Sequence, residues 1–80
     1  ETQEMQALTT RYDSLTPREK EVFQLAIGGL LNKQIATEMG VSEITAKVHK
    51  KRVMEKMQVR SLTDLVRAAD RLNIQKTLGR

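Results

Sequence analysis

The residues of this chain best suited to chemistry are cations. Between positions 43 and 60 stand Lys47, Lys50, Lys51, Arg52, Lys56 and Arg60 against only Glu43 and Glu55, a surplus equal to the +4 formal charge of all 80 residues. The other segments therefore balance. A positive excess held on one element suits the phosphates and base edges of a nucleic acid. Catalysis has much less to work with. There is one histidine, His49, and no cysteine. A second histidine to share a metal, a thiolate ligand set and a disulfide framework are all excluded. No glycine-rich phosphate loop occurs, and no cluster of acids assembles a nucleophile, a base and an orienting group. The chain is read as a non-enzyme, with no catalytic residue, no metal and no cofactor.

The elements that must carry those cations follow from length and periodicity. Eighty residues make one small domain, and folding would bury roughly 60% of the surface the unfolded chain exposes. The core is modest, and a partner chain would add stability. With 39% hydrophobic and 30% charged residues the chain is globular rather than disordered. No apolar run reaches the roughly 20 residues that span a bilayer, and no signal-peptide pattern is visible. The chain starts at Glu1 rather than Met, as a piece of a longer protein would.

Apolar residues recur every three or four positions throughout, so the fold class is all-α. Thr16, Pro17 and Glu19 form a capping box with proline at the first helical position. The helix they open runs to about Gly28. Val22, Phe23, Leu25, Ala26 and Ile27 make it the most buried element, and Gly28-Gly29 ends it. A second helix starts at Asn32 as N-cap and stops at Gly40. Ser42 caps a third, which runs to Met57 or Gln58. Ser61, with Asp64 three residues on, opens a fourth. Its buried stripe is Leu62, Leu65, Val66, Ala69 and Leu72. Met5, Leu8, Tyr12 and Leu15 fit a short amphipathic helix, and an intermittently ordered linker fits equally well.

The stretch from Asn32 to Met57 has the pattern of a helix-turn-helix. Ala36 lets two backbones approach, and Gly40 tolerates positive φ at the turn. Ile35, Met39 and Val41 fill the angle. Ala46, His49, Val53 and Met57 form the inward stripe of the third helix. Glu43, Lys47, Lys50, Lys51 and Met54 lie opposite, with Val48 at their edge. Each residue also has a plainer role. A lysine-rich face is usually just solvated. His49 fits a packed imidazole or a phosphate contact better than a base or ligand, and the methionines fit packing. Val48 suits either the core or a thymine methyl. Asn32 and Ser42 can cap and also hold a phosphate at the same helix terminus. Two other classes compete. A protein-interaction module would use the basic helix on an acidic partner. RNA binding lacks stacking platforms, because Tyr12 and Phe23 are the only aromatics.

The runs LTPREKEV and GLLNKQIATEMGVSEITAKVHKKRVMEKMQVRS resemble the DNA-binding output domain of LuxR/FixJ-type (NarL/FixJ subfamily) bacterial response regulators over residues 15–72. The carrying features are Leu15-Thr16-Pro17-Arg18-Glu19, Asn32-Lys33-Gln34-Ile35-Ala36, the run Ser42-x-x-Thr45-x-Lys47-x-His49 and the last helix. The resemblance implies a four-helix domain over 15–73 and an interdomain linker over 1–14; residues 74–80, with little to bury, read as a frayed tail. It implies double-stranded DNA in the major groove as partner, with base contacts from Lys47, Val48 and Lys51. Phosphate contacts fall on Asn32, Lys33, Ser42, Thr45 and Lys50. The last helix is expected to support a homodimer on an inverted repeat, weak in isolation, with Asp64, Arg67, Ala68 and Arg71 on its outward side. An upstream receiver or sensor domain, RNA polymerase as a further partner and a cytoplasmic location complete the implication. Three positions depart from the family pattern. Leu31 replaces a small polar residue, Gln58 a helix-ending glycine and Ala46 a valine.

Overall fold

A computed structural model of the chain describes residues 2–74. Among these, five helices and no strand form: α1 (Thr2–Asp13), α2 (Pro17–Ile27), α3 (Asn32–Met39), α4 (Glu43–Met57) and α5 (Leu62–Leu72). The four-helix unit is α2 to α5, and the segment read as linker or helix is the helix α1. Of the tail expected at residues 74–80, residues 75–80 lie outside the described residues. Ile74 does not fray: its N–H donates to Ala69 O at 2.9 Å, and its side chain packs on the core.

The local signals act as their chemistry requires. Thr16 Oγ1 accepts the Glu19 N–H at 3.1 Å, and Glu19 Oε1 accepts the Thr16 N–H at 2.9 Å, closing the capping box around Pro17. Val22, Phe23, Leu25, Ala26 and Ile27 are all buried, so α2 is the central element. Its end is the expected Gly28-Gly29 pair. Gly28 keeps right-handed φ, and Gly29, at φ +91°, supplies the left-handed step that only glycine adopts without cost. Asn32 is likewise not a cap. Leu31 holds the N-cap position of α3 in extended conformation, and Asn32 is the first helical residue. Leucine has no side-chain acceptor, so only half of the reciprocal pair forms: the Leu31 N–H donates to Gln34 Oε1 at 2.8 Å.

One contiguous core joins all five helices, with Phe23, Ile35, Val53, Met57 and Leu65 fully enclosed. α4 packs against α2 and α3, while α1 lies on α4 and α5. Leu8 and Leu15 enter the core, and the Tyr12 ring meets Phe23 edge-on at 5.3 Å. Lys20 Nζ sits 5.0 Å from the centre of the same tyrosine ring. Burial, with a smaller push from the Asp13 charge, raises the Tyr12 hydroxyl above its usual pKa. Leu62, expected in the buried stripe of α5, stays partly exposed because it precedes the first full turn under the core.

Candidate nucleic-acid interface

The turn between α3 and α4 is built by Gly40 at φ +69° and ψ +34°. The Gly40 N–H reaches Thr37 O at 3.3 Å, and the Val41 N–H reaches Ala36 O at 3.0 Å. These bonds satisfy carbonyls that the end of α3 leaves open. A Cβ at Gly40 would meet nothing within 4 Å, so glycine is there for its backbone freedom and not for space. Arg18 reinforces the turn from α2. Its guanidinium donates to Met39 O at 3.0 Å and pairs with Glu21 at 3.2 Å.

Beyond the turn, Ser42 starts α4. Its Oγ accepts the Thr45 N–H at 3.1 Å and donates to Thr45 Oγ1 at 2.9 Å. The opposite end closes on Gln58, which replaces the usual glycine and takes the left-handed conformation itself, at φ +57°. Its N–H reaches Glu55 O at 3.1 Å, and the Val59 N–H reaches Met54 O at 3.0 Å. α4 is thus held at both ends.

Its flank is held by charge. Lys56 Nζ donates to Glu19 Oε1 at 2.7 Å, joining α4 to the capping box of α2. The Glu19 side chain is only 4% exposed and the Lys56 side chain 38%. Burial alone would raise the Glu19 pKa. The hydrogen bonds from Lys56 and the Thr16 N–H, with the Lys56 and Arg52 charges, outweigh burial and lower it.

Held this way, α4 turns Ala46, Val53 and Met57 fully inward, with His49 half-buried beside them. With about 100° per residue, Lys47, Val48 and Lys51 then project on the side opposite Val53. Both lysines are exposed, and Val48 is 43% exposed. Val48 thus stands at the edge of this group, on the far side of Lys51 from Lys47. Lys50 is half-buried, displaced toward the flank. Met54, expected outward, packs against the core because it falls beside Met57 and Val53 on the helix circumference.

Lys33, Ser42 and Thr45 are exposed. Asn32 is half-buried; its Oδ1 and His49 Nδ1 are enclosed without a protein hydrogen-bond partner. Asp64, Arg67 and Arg71 are exposed on α5. Ala68 is not on that outward side: it is 6% exposed and belongs to the core. It follows Leu65 by three residues and precedes Leu72 by four, which places it inside the buried arc. The adjoining face also carries α1, where Glu4, Ala7, Leu8, Arg11 and Arg71 line one depression and Arg71 pairs with Glu4 at 3.4 Å.

Sequence reasoning missed three residues. Ile44, in the first turn of α4, is 75% exposed; its spacing of four from Val48 was the available signal. Arg18 and Lys56 were read as motif member and surface cation, because partners 21 and 37 residues away leave no local pattern. Among the described residues no group of three or more metal-ligating side chains comes together.

Comparison with known proteins agrees with this geometry. Residues 13–69 match the family described as bacterial regulatory proteins, luxR family. Nodulation protein W of Bradyrhizobium diazoefficiens is 46% identical over 67 residues, covering 84% of this chain and 30% of that protein. The transcriptional regulatory protein FixJ of the same organism is 47% identical over 66 residues, covering 82% of this chain and 32% of that protein. Among solved structures, the response regulator StyR superposes with a TM-score of 0.83 at 46% identity, over 86% of this chain and 35% of StyR. Full-length FixJ from B. japonicum gives 0.79 at 43% identity, over 90% of this chain and 36% of that one. The chain thus spans about a third of the length of these relatives. With a helix-turn-helix whose second helix is clamped at both ends, and with a luxR-family match over most of its length, the chain belongs to the luxR family of bacterial regulatory proteins as a DNA-binding domain.

Proposed function

We propose that the domain reads a specific double-stranded DNA sequence with α4 in the major groove, as the output end of a response regulator. The observation that carries this reading is the outward face of α4. Lys47, Val48 and Lys51 stand together on it, opposite the buried stripe, on a helix fixed by Ser42, Gln58 and the Glu19–Lys56 pair. The two lysines donate to guanine O6 and N7, and Val48 meets a thymine methyl. Lys33, Ser42, Thr45 and the N-termini of α3 and α4 hold phosphates that set register, with Lys50 and Asn32 at the margin.

The half-buried position of Asn32 favours its backbone N–H for that contact. A homodimer on an inverted repeat follows from the exposed Asp64 and Arg67 of α5, a small charged patch that pairs weakly without DNA. Arg71 joins the patch only when it leaves Glu4. The upstream partner is a receiver domain, since the relatives named response regulators are about three times as long, and RNA polymerase is the downstream one.

Selection of bound duplexes from a random pool at near-physiological salt tests the reading. Enrichment of an inverted repeat with half-sites about one helical turn apart is expected. Lys51→Ala is then expected to cost about 1–3 kcal/mol on the selected site and to relax one base position. Binding without enrichment would instead make the basic helix a docking surface for an acidic protein.

A further inference from the structure

The outward face of α4 holds a large aliphatic side chain that neither the core nor the contacts proposed above use. Ile44 is 75% exposed and belongs neither to the core nor to the partly buried residues packed on it. A single exposed isoleucine would mean little. Val48, however, lies one turn further along and is exposed as well. A spacing of four stacks the two side chains on one helical face, so they form a continuous apolar ridge. At about 100° per residue, Lys47 and Lys51 fall within about 60° of Ile44, and Val53, fully buried, falls diametrically opposite. Both lysines fall on one side of Ile44 and Val48 on the other, so the ridge runs along the outward face beside the lysines.

Position along the helix matters as much as direction. Ile44 is the second residue of α4, two positions after the Ser42 cap. The first turns of a helix-turn-helix recognition helix are the part that meets base edges. The apolar group that distinguishes one base pair from another in the major groove is the thymine C5 methyl. A β-branched side chain has little rotamer freedom to lose when the groove closes over it.

We propose that Ile44 is a specificity-determining residue that packs on the C5 methyl of a thymine in each half-site, extending the Val48 contact toward the start of α4. The proposal rests on the DNA-reading function given above. The same side chain disfavours guanine or cytosine at that position, because it would strip water from their polar groups without replacing the hydrogen bond.

The experiment uses the 80-residue chain and its Ile44→Ala and Ile44→Ser variants. Each protein is put through duplex selection, and the wild-type site is remade with deoxyuridine at each thymine in turn, which removes only the methyl. At one thymine per half-site, loss of the methyl is expected to weaken wild type about fourfold and to leave both variants unchanged. A thymine read by Val48 weakens all three alike. Base preference at the Ile44 position is expected to relax in both variants, with thermal melting close to wild type because the side chain is exposed. The assignment is overturned if the variants keep every base preference, if no deoxyuridine duplex separates them from wild type, or if they lose affinity equally on all sequences. A wild-type chain that selects no motif overturns the DNA-reading function itself, a result distinguishable from failure of Ile44 alone.

Discussion

Replacing Lys56 by methionine removes the cation from Glu19 while keeping most of the side-chain volume. The carboxylate stays behind, 4% exposed, with the Thr16 N–H at 2.9 Å as its remaining close donor. Breaking a fully buried ion pair costs about 3–5 kcal/mol. Two features reduce that here: the Lys56 side chain is 38% exposed, and Glu19 keeps its capping bond. The expected loss is about 1–3 kcal/mol at neutral pH, or about 5–20 °C in Tm for a domain of this size.

The pH dependence carries a sign. In wild type the Glu19 pKa is lowered in the folded state, so the pair contributes stability above the unfolded carboxylate pKa and loses it as pH falls through the folded value. In Lys56→Met the contribution of the ion pair is gone, so the penalty relative to wild type shrinks as acidification removes that contribution from wild type. Urea unfolding from about pH 7 to about pH 4 would show this, with Glu19→Gln and the double variant completing a cycle. Glu19→Gln alone is expected to cost about 0.5–1.5 kcal/mol, and Lys56→Met much less in that background. A Lys56→Met penalty that is additive with Glu19→Gln within about 0.3 kcal/mol, or that does not change with pH, refutes the reasoning.

Lys33→Ala is expected to weaken binding to all duplexes alike and to lower the slope of log affinity against log salt by about one unit, measured by fluorescence anisotropy. An unchanged slope takes Lys33 out of the DNA footprint. Gln58→Gly removes a side chain from a left-handed position, φ +57°, and is expected to stabilise the domain by up to about 1 kcal/mol in thermal melts. No gain would mean that the Gln58 side chain contributes as much as its backbone costs. Gly40→Ala forces the same conformation on alanine and is expected to cost about 1–2 kcal/mol, with weaker binding on the selected site. Full affinity and stability would show that the turn relaxes at no cost.

Residues that act within one helix turn were legible in the amino-acid order. Thr16, Pro17 and Glu19 specify a helix start by bonds spanning three residues, and Gly40 marks a turn through its own φ. Ala46, Val53 and Met57 recur at a period that leaves one inward face. These interactions are short-range, so local order suffices to specify them, and the basic helix-turn-helix followed from them. Tertiary structure decided what depends on neighbours distant in sequence. Arg71 is tied to Glu4 because α1 folds back beside α5, which no periodicity within α5 reveals. Met54 turns to the core because of how α4 packs on α2 and α3. The Glu19 pKa is lowered despite burial in large part because Lys56 arrives from 37 residues away. Helix patterning sets which residues share a face; the packing of one helix on another sets where that face points.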